Sequence, residues 1–323
     1  MLFSMNDLGA AVAVVGTTVK PTPAYAWPLL ANRTGAEVIV KHENHTPTGS
    51  FKARGGLFYV EKLRRAGALP PGLVTATRGN HGQSIAIGAA RAGIPAKIIV
   101  PEGNSCEKNA SMAAFGGEVI VAGKDFDESR EIAAGYQASH GFAFVPSFQR
   151  DIVAGVATYA HELFTDHADI DAVLVPVGMG SGICSLITLR DLLGLKTEIW
   201  GVVARNAPAF AQSFEAGSPQ PTSTARTFAD GVACREPQAE ALEIILNGAA
   251  GILQVGEDEI AEAIRILYTD THNMAEGAGA APLAAMMGER ERFRGKRVAL
   301  ILTGGNIDMP VFRQVLSGET PVA

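Results

Sequence analysis

The sequence predicts an α/β protein built on parallel sheets in two lobes, and three observations predict it. Short apolar runs alternate with helical patterns of about ten to fifteen residues, the mark of right-handed βαβ units. The run Ala-Val-Leu-Val-Pro-Val at 172–177 shows no polar alternation, as a strand covered on both faces requires. Glycine-bearing turns follow several strands directly, at the ends where such sheets take their ligands.

Taken in order, residues 8–15 read as a helix, and Pro21-Thr22-Pro23 ends structure there. A short helix is expected over 26–32 and the first clear strand over 38–41. A helix over 53–66 follows, then the breaker Gly67-Ala68-Leu69-Pro70-Pro71-Gly72. Strands at 73–76, 96–100, 118–121 and 143–145 alternate with helices at 82–92, 105–115 and 126–139. The second half continues with a helix at 153–164 and the strand at 172–177. Helices at 181–193, 207–215, 238–245, 258–269 and 277–287 then interleave with strands at 197–203, 251–255 and 298–302. Residues 1–69 with 148–323 are expected to form a large lobe, and 70–147 a small one.

The length of 323 residues suffices for two such lobes. A net charge of −6 argues against nucleic acid as a partner. No apolar run reaches the roughly 18 residues a membrane span needs, so no membrane partner is expected. The apolar stretch 8–15 follows Asp7 and lacks a positive leader, so a signal peptide is not expected. Cys106, Cys184 and Cys234 match no metal or disulfide pattern, which favours a reducing, cytoplasmic setting.

Four stretches carry chemistry. Residues 42–56 read His-Glu-Asn-His-Thr-Pro-Thr-Gly-Ser-Phe-Lys-Ala-Arg-Gly-Gly, which sets Lys52 at the start of a helix. The positive end of a helix disfavours a protonated amine. A lysine kept neutral is a nucleophile suited to Schiff-base chemistry; a solvated surface lysine is the ordinary alternative. Thr77-Arg78-Gly79-Asn80-His81-Gly82-Gln83 leaves a strand and opens a helix, where backbone amides suit a carboxylate; alone it is an ordinary turn. Gly178-Met179-Gly180-Ser181-Gly182 follows the buried strand and can cup a phosphate with successive N–H groups. Its glycine spacing does not fit a dinucleotide fingerprint. Thr303-Gly304-Gly305-Asn306 follows the last strand, as a strand-to-turn cap also would.

In this order, the four stretches resemble the fold type II pyridoxal-phosphate enzymes, the serine/threonine dehydratase (threonine ammonia-lyase) and serine racemase group. Residues 48–55 fit that group's T-G-S-F-K-x-R-G pattern without a gap. The resemblance implies a tryptophan synthase β-like fold with the cofactor, pyridoxal 5'-phosphate, in the cleft between two α/β lobes. It implies that Lys52 forms the Schiff base with the cofactor and that Phe51 lies against its ring. Asn80 would bond the ring oxygen, Gly178, Met179, Gly180, Ser181 and Gly182 would hold the phosphate, and Thr303 would face the ring nitrogen. Thr77, Gly79 and His81 would hold the substrate carboxylate. Met179 and Ser181 replace two glycines of the group's usual tetraglycine run. Glu276 matches an E-x-x-A-G segment near the group's active site; a helix-start carboxylate is the equal alternative.

Arg78 departs from the pattern, because many relatives have serine there, the second acid/base of the racemases. Arginine stays protonated and is a poor base. It either binds a substrate carboxylate or other polar β-substituent, or forms a structural salt bridge. The racemases' acidic metal pair would fall near Val203 and Ala209, so no such metal is expected. The reaction implied is β-elimination of water from a 3-hydroxy-α-amino acid, giving a 2-oxo acid and ammonia. The substrate is serine- or threonine-like, with 3-hydroxyaspartate or another larger substrate a contender. Amino-acid racemisation and non-catalytic cofactor binding are the alternatives. A homodimer is the expected assembly.

Overall fold

A computed structural model describes residues 1–322, and of residue 127 the backbone. The chain begins with α1 (Met5–Val15), β1 (Ala24–Ala26), α2 (Pro28–Thr34), β2 (Glu37–His42) and α3 (Lys52–Arg65). It continues through β3 (Leu73–Ala76), α4 (Asn80–Ala92), β4 (Ala96–Val100), α5 (Cys106–Ala114), β5 (Gly117–Val121), α6 (Phe126–His140), β6 (Ala143–Phe144) and α7 (Arg150–Asp166). Then come β7 (Ala172–Pro176), α8 (Ser181–Leu192), β8 (Glu198–Ala204), α9 (Ala209–Ala216), α10 (Ala239–Gly248), β9 (Gly251–Val255) and α11 (Glu257–Thr271). It closes with α12 (Gly277–Gly288), α13 (Arg290–Phe293), β10 (Arg297–Leu302) and α14 (Met309–Leu316).

The chain divides into two compact units. The larger holds Met1–Ser4, Pro21–His45 and the chain from Tyr159 onward; the smaller holds Met5–Lys20 and Thr46–Thr158. These bounds differ from the expected boundary at residues 69 and 70, because α3 packs on α4. A Cβ at Gly56 would lie 2.2 Å from the carbonyl oxygen of Ser84, and one at Gly88 2.8 Å from that of Gly56. Glycine at both positions lets the two helices meet backbone to backbone.

The larger unit carries a six-stranded sheet in the order β1-β2-β10-β7-β8-β9. Only β1, on the edge, runs antiparallel to its neighbour. The inner strands are apolar on both faces, and β7 and β10 are almost wholly buried. Buried Lys41 on β2 is held by Glu162 at 2.6 Å and by the Thr22 carbonyl at 2.8 Å. The smaller unit carries four parallel strands in the order β5-β4-β3-β6, with α6 packed on β3 through Val74, Ala76 and Ala133.

The helix expected at 26–32 is instead β1 followed by α2. Pro28 sits in the first turn of α2, where a missing N–H costs nothing. Extended Trp27 precedes it. No helix among the described residues is long and apolar enough to cross a membrane.

Candidate active site

Each sheet reverses its order of construction at one strand. The smaller unit builds from β3 to β4 and β5, then sets β6 on the other side of β3. In the larger, β8 and β9 lie on one side of β7 and β10 on the other. Crevices outside the carboxyl ends at such a reversal are the ligand sites of open α/β sheets. Residues 77–79 leave β3, residues 177–180 leave β7, and Thr303 leaves β10.

In the larger unit, Gly180 is the N-cap of α8 in the left-handed conformation (φ 94°), and no side chain caps the helix. The first N–H groups of α8 are therefore not spent on a capping side chain. A Cβ at Gly178 would lie 2.1 Å from the carbonyl oxygen of Gly231, so the loop passes close against residue 231 only as glycine. The carbonyl of Gly182 accepts from Tyr159 Oη at 3.0 Å and from Ser185 Oγ at 2.7 Å, which fixes the first turn of α8. Glycine loop and open helix start together fit a phosphate monoester. Half-buried Met179 packs its sulfur 3.9 Å from Sγ of Cys234. Burial pushes that thiol up to about 12, so it stays protonated.

Thr303 is buried at the end of β10. Beside it, Glu276 donates its backbone N–H to the carbonyl of Gly304 at 3.1 Å. Glu276 is the buried N-cap of α12. A Cβ at Gly279 would lie 2.6 Å from the Gly304 carbonyl oxygen, so α12 too approaches this loop through glycine. Gly231, against Gly178, also neighbours the Glu276 carboxylate: a Cβ there would lie 4.0 Å from Oε1. Gly178 and Thr303 thus stand at the carboxyl ends of the neighbouring strands β7 and β10, with Glu276 beside them.

In the smaller unit, Lys52 is the first residue of α3, half-buried, after Phe51 as N-cap. Its Nζ lies 5.1 Å from the centroid of the Phe51 ring. Ser84 Oγ donates to the Lys52 carbonyl at 2.6 Å and accepts the Gly56 N–H at 3.0 Å. The turn before Lys52 is tied by Thr46, whose Oγ1 accepts the Ser50 N–H at 2.9 Å and donates to the Ser50 carbonyl at 2.7 Å.

The loop after β3 is shaped by its own side chains. Thr77 Oγ1 accepts the Gly79 N–H at 3.0 Å. Asn80 is half-buried at the first position of α4. A Cβ at Gly79 would lie 2.8 Å from Cδ of Lys108. His81 is buried, with Nε2 3.1 Å from the carbonyl of Val145. A carbonyl only accepts, so Nε2 carries the proton and Nδ1 is a bare acceptor. Burial, then the nearby charge of Lys52, pushes His81 down to about 4. Its ring is neutral near pH 7. Arg78 is exposed and forms no hydrogen bond or ion pair among the described residues. The structural salt bridge open to it in sequence therefore has no counterpart.

Phe51, Lys52, Thr77, Gly79, Asn80 and His81 thus belong to the smaller unit, and residues 178–182, Thr303 and Glu276 to the larger. Sequence reasoning missed Ser84. Its signal was the spacing of Ser84 and Gly88, one helical turn apart, facing the pair Gly55-Gly56.

Residues 15–304 match the family described as pyridoxal-phosphate dependent enzyme. The chain is 32% identical to an L-threonine ammonia-lyase of Thermotoga maritima, over 98% of this chain and 79% of that protein. It is 30% identical to an L-threo-3-hydroxyaspartate ammonia-lyase of Saccharomyces cerevisiae, over 93% of this chain and 92% of that one. Among solved structures, the processed form of threonine deaminase isoform 2 from Solanum lycopersicum superposes with a TM-score of 0.90 at 29% identity, covering 97% of this chain and 92% of that chain.

Proposed function

The chain belongs to the pyridoxal-phosphate dependent enzymes, and from that premise we propose that it eliminates water from a 3-hydroxy-α-amino acid. The products are a 2-oxo acid and ammonia, which makes it a carbon–nitrogen lyase of the dehydratase type. Its ammonia-lyase relatives, one acting on threonine and one on 3-hydroxyaspartate, support this class. The single observation that carries the reading is Lys52. It stands at a helix start, its carbonyl pinned by Ser84, beside a histidine that is neutral.

Pyridoxal 5'-phosphate, when bound, supplies an electron sink next to the substrate α-carbon. Lys52 would be the attachment point of the cofactor, and its free amine would take the substrate α-proton as general base. Residues 178–182 and the dipole of α8 would hold the phosphate. Thr303 would offer a neutral hydroxyl to the ring nitrogen, Asn80 an amide to the ring oxygen, and Phe51 an apolar face to the ring. The backbone N–H of His81 and the hydroxyl of Thr77, whose Oγ1 also accepts the Gly79 N–H, would hold the α-carboxylate. Glu276 would tune a proton near the cofactor. Net loss of the α-proton and the β-hydroxyl as one water would give an enamine, whose imine tautomer a second water hydrolyses to the 2-oxo acid and ammonia.

Arg78 favours elimination over racemisation, because its guanidinium cannot serve as the second base a racemase needs. The same guanidinium would select a polar or acidic β-substituent. We also propose a homodimer in a reducing cytoplasm. Free thiols at Cys106, Cys184 and Cys234 support the setting, and exposed Tyr25, Leu29 and Met309 support the assembly.

The test is release of ammonia and 2-oxo acid from L-serine, D-serine, L-threonine, the 3-hydroxyaspartate stereoisomers and phenylserine, with Lys52→Ala alongside. Turnover by the natural chain and none by the variant is expected. Equal turnover by both would remove Lys52 from the chemistry.

A further inference from the structure

Among the described residues, five buried side-chain atoms have no hydrogen-bond partner: His42 Nδ1, Asn44 Oδ1, Ser50 Oγ, Gln149 Nε2 and Glu257 Oε1. Four belong to side chains that are engaged through another atom. His42 accepts from Trp27 Nε1, and Asn44 donates to Asn273 and Met274. Gln149 accepts the N–H of Asp151, and Glu257 accepts from Thr227 and Phe228. Ser50 has a single polar side-chain atom, so its side chain alone is wholly unpartnered. It is also fully buried, at 0% exposure.

This is not a loose turn in which the hydroxyl has lost its way. The Ser50 N–H donates to Thr46 Oγ1, and the Ser50 carbonyl accepts from both Thr46 Oγ1 and Thr48 Oγ1. Every backbone hydrogen-bonding group of the residue is spent, and the backbone is clamped. A buried hydroxyl held this way without a partner is unfavourable, and alanine would fill the same space without that penalty. Unpaired buried groups in folded proteins are explained by water, strain or a ligand. Ser50 stands two residues before Lys52, and the Lys52 charge is strong enough locally to press on His81. A positive field there favours an anionic oxygen as the hydroxyl's partner.

We propose that Ser50 is a ligand-contacting residue, whose hydroxyl donates to an oxyanion of the molecule held at Lys52. This rests on the assignment of Lys52 given above. The same chemistry is offered by the phenolate or phosphate oxygens of the cofactor and by the carboxylate of the amino-acid substrate. The hydroxyl contributes to binding and nothing to the empty fold. That combination separates it from a structural serine, whose removal weakens the fold and leaves binding alone.

The experiment compares Ser50→Ala and the near-isosteric Ser50→Cys with the natural chain. Three quantities are read: the melting temperature of the apoprotein, the affinity of the apoprotein for pyridoxal phosphate, and the affinity of the holoenzyme for L-alanine. L-alanine has no β-hydroxyl to lose, so its binding is read from the cofactor's absorption without turnover. The expected result is an apoprotein melting temperature that is unchanged within about 1 °C or raised. One of the two affinities falls roughly ten- to a hundredfold, as loss of a hydrogen bond to a charged group predicts. Loss at the pyridoxal phosphate step assigns the oxyanion to the cofactor; loss only at L-alanine assigns it to the substrate. A lowered apoprotein melting temperature, failure of both variants to fold, or both affinities unchanged within about twofold overturns the proposal. Failure of the natural chain to bind pyridoxal phosphate would instead overturn the assignment of Lys52, and this proposal with it.

Discussion

Ser84 on α4 donates its hydroxyl to the carbonyl of Lys52 at 2.6 Å, and the same oxygen accepts the N–H of Gly56. One side chain thus bridges both ends of the first turn of α3. The close approach depends on Gly56, where a Cβ would meet the Ser84 carbonyl oxygen at 2.2 Å. The lysine is thus held by its backbone at the start of α3.

Ser84→Ala should therefore cost about 1–2 kcal/mol of stability, as expected for one buried side-chain donor and acceptor. It should also lower kcat roughly tenfold by loosening the backbone that positions Lys52. Gly56→Ala should cost more, about 1–3 kcal/mol from overpacking alone. Denaturant unfolding of the apoprotein beside turnover of the holoenzyme checks both.

Gly178→Ala should weaken pyridoxal phosphate binding at least tenfold. The new Cβ must displace the backbone at residue 231, which lies 2.1 Å away. Gly231 also neighbours Glu276, so the disturbance should spread to that side chain. Titration of the apoprotein with cofactor measures the loss. An unchanged affinity would show that the loop does not hold the phosphate.

Arg78→Ser should leave stability within about 0.5 kcal/mol, because the side chain is exposed and without partners among the described residues. Its effect belongs in substrate choice. Preference for 3-hydroxyaspartate over threonine, if carried by Arg78, should fall in the variant through a raised KM. Equal profiles for both proteins would make the arginine a bystander.

His81 and His42 give the fold a predictable acid limb. Burial pushes both down to about 4. The unfolded chain therefore binds their protons at a higher pH than the folded chain does. Their stabilising contribution is complete above about pH 6.5 and is lost as pH falls toward 4, at roughly 3 kcal/mol for each. Unfolding free energy should be flat from neutral pH to about 6.5 and drop below it. His81→Gln should flatten part of that slope, and an unchanged slope in the variant would contradict the assignment.

The parallel strands and their helices were legible because β3, β4, β7 and β9 are short apolar runs between turn residues, and the glycine loops follow them directly. Edge strand β1 was not, because three residues before a proline give no periodicity to read. Helix α14 lies beyond the last strand and also went unread. The placement of α3 with β3 to β6 depends on the backbone contact at Gly56 and Gly88, which no local pattern encodes. Within the site, Lys52 and the loops announced themselves by residue type. The contacts of Ser84 and the unpartnered hydroxyl of Ser50 did not, because the groups that surround a serine are set by other parts of the chain. Arg54 is similar: fully buried, it donates to Thr158 Oγ1 at 3.1 Å, more than a hundred residues away in sequence.

The most direct measurement is chemical. Borohydride reduction of the holoenzyme, followed by proteolysis and mass spectrometry, fixes the cofactor to whichever lysine carries it. One labelled peptide containing Lys52 is expected, and no label when L-serine saturates the enzyme before reduction. Label on another lysine, or none on the natural chain loaded with pyridoxal phosphate, would contradict the assignment of Lys52.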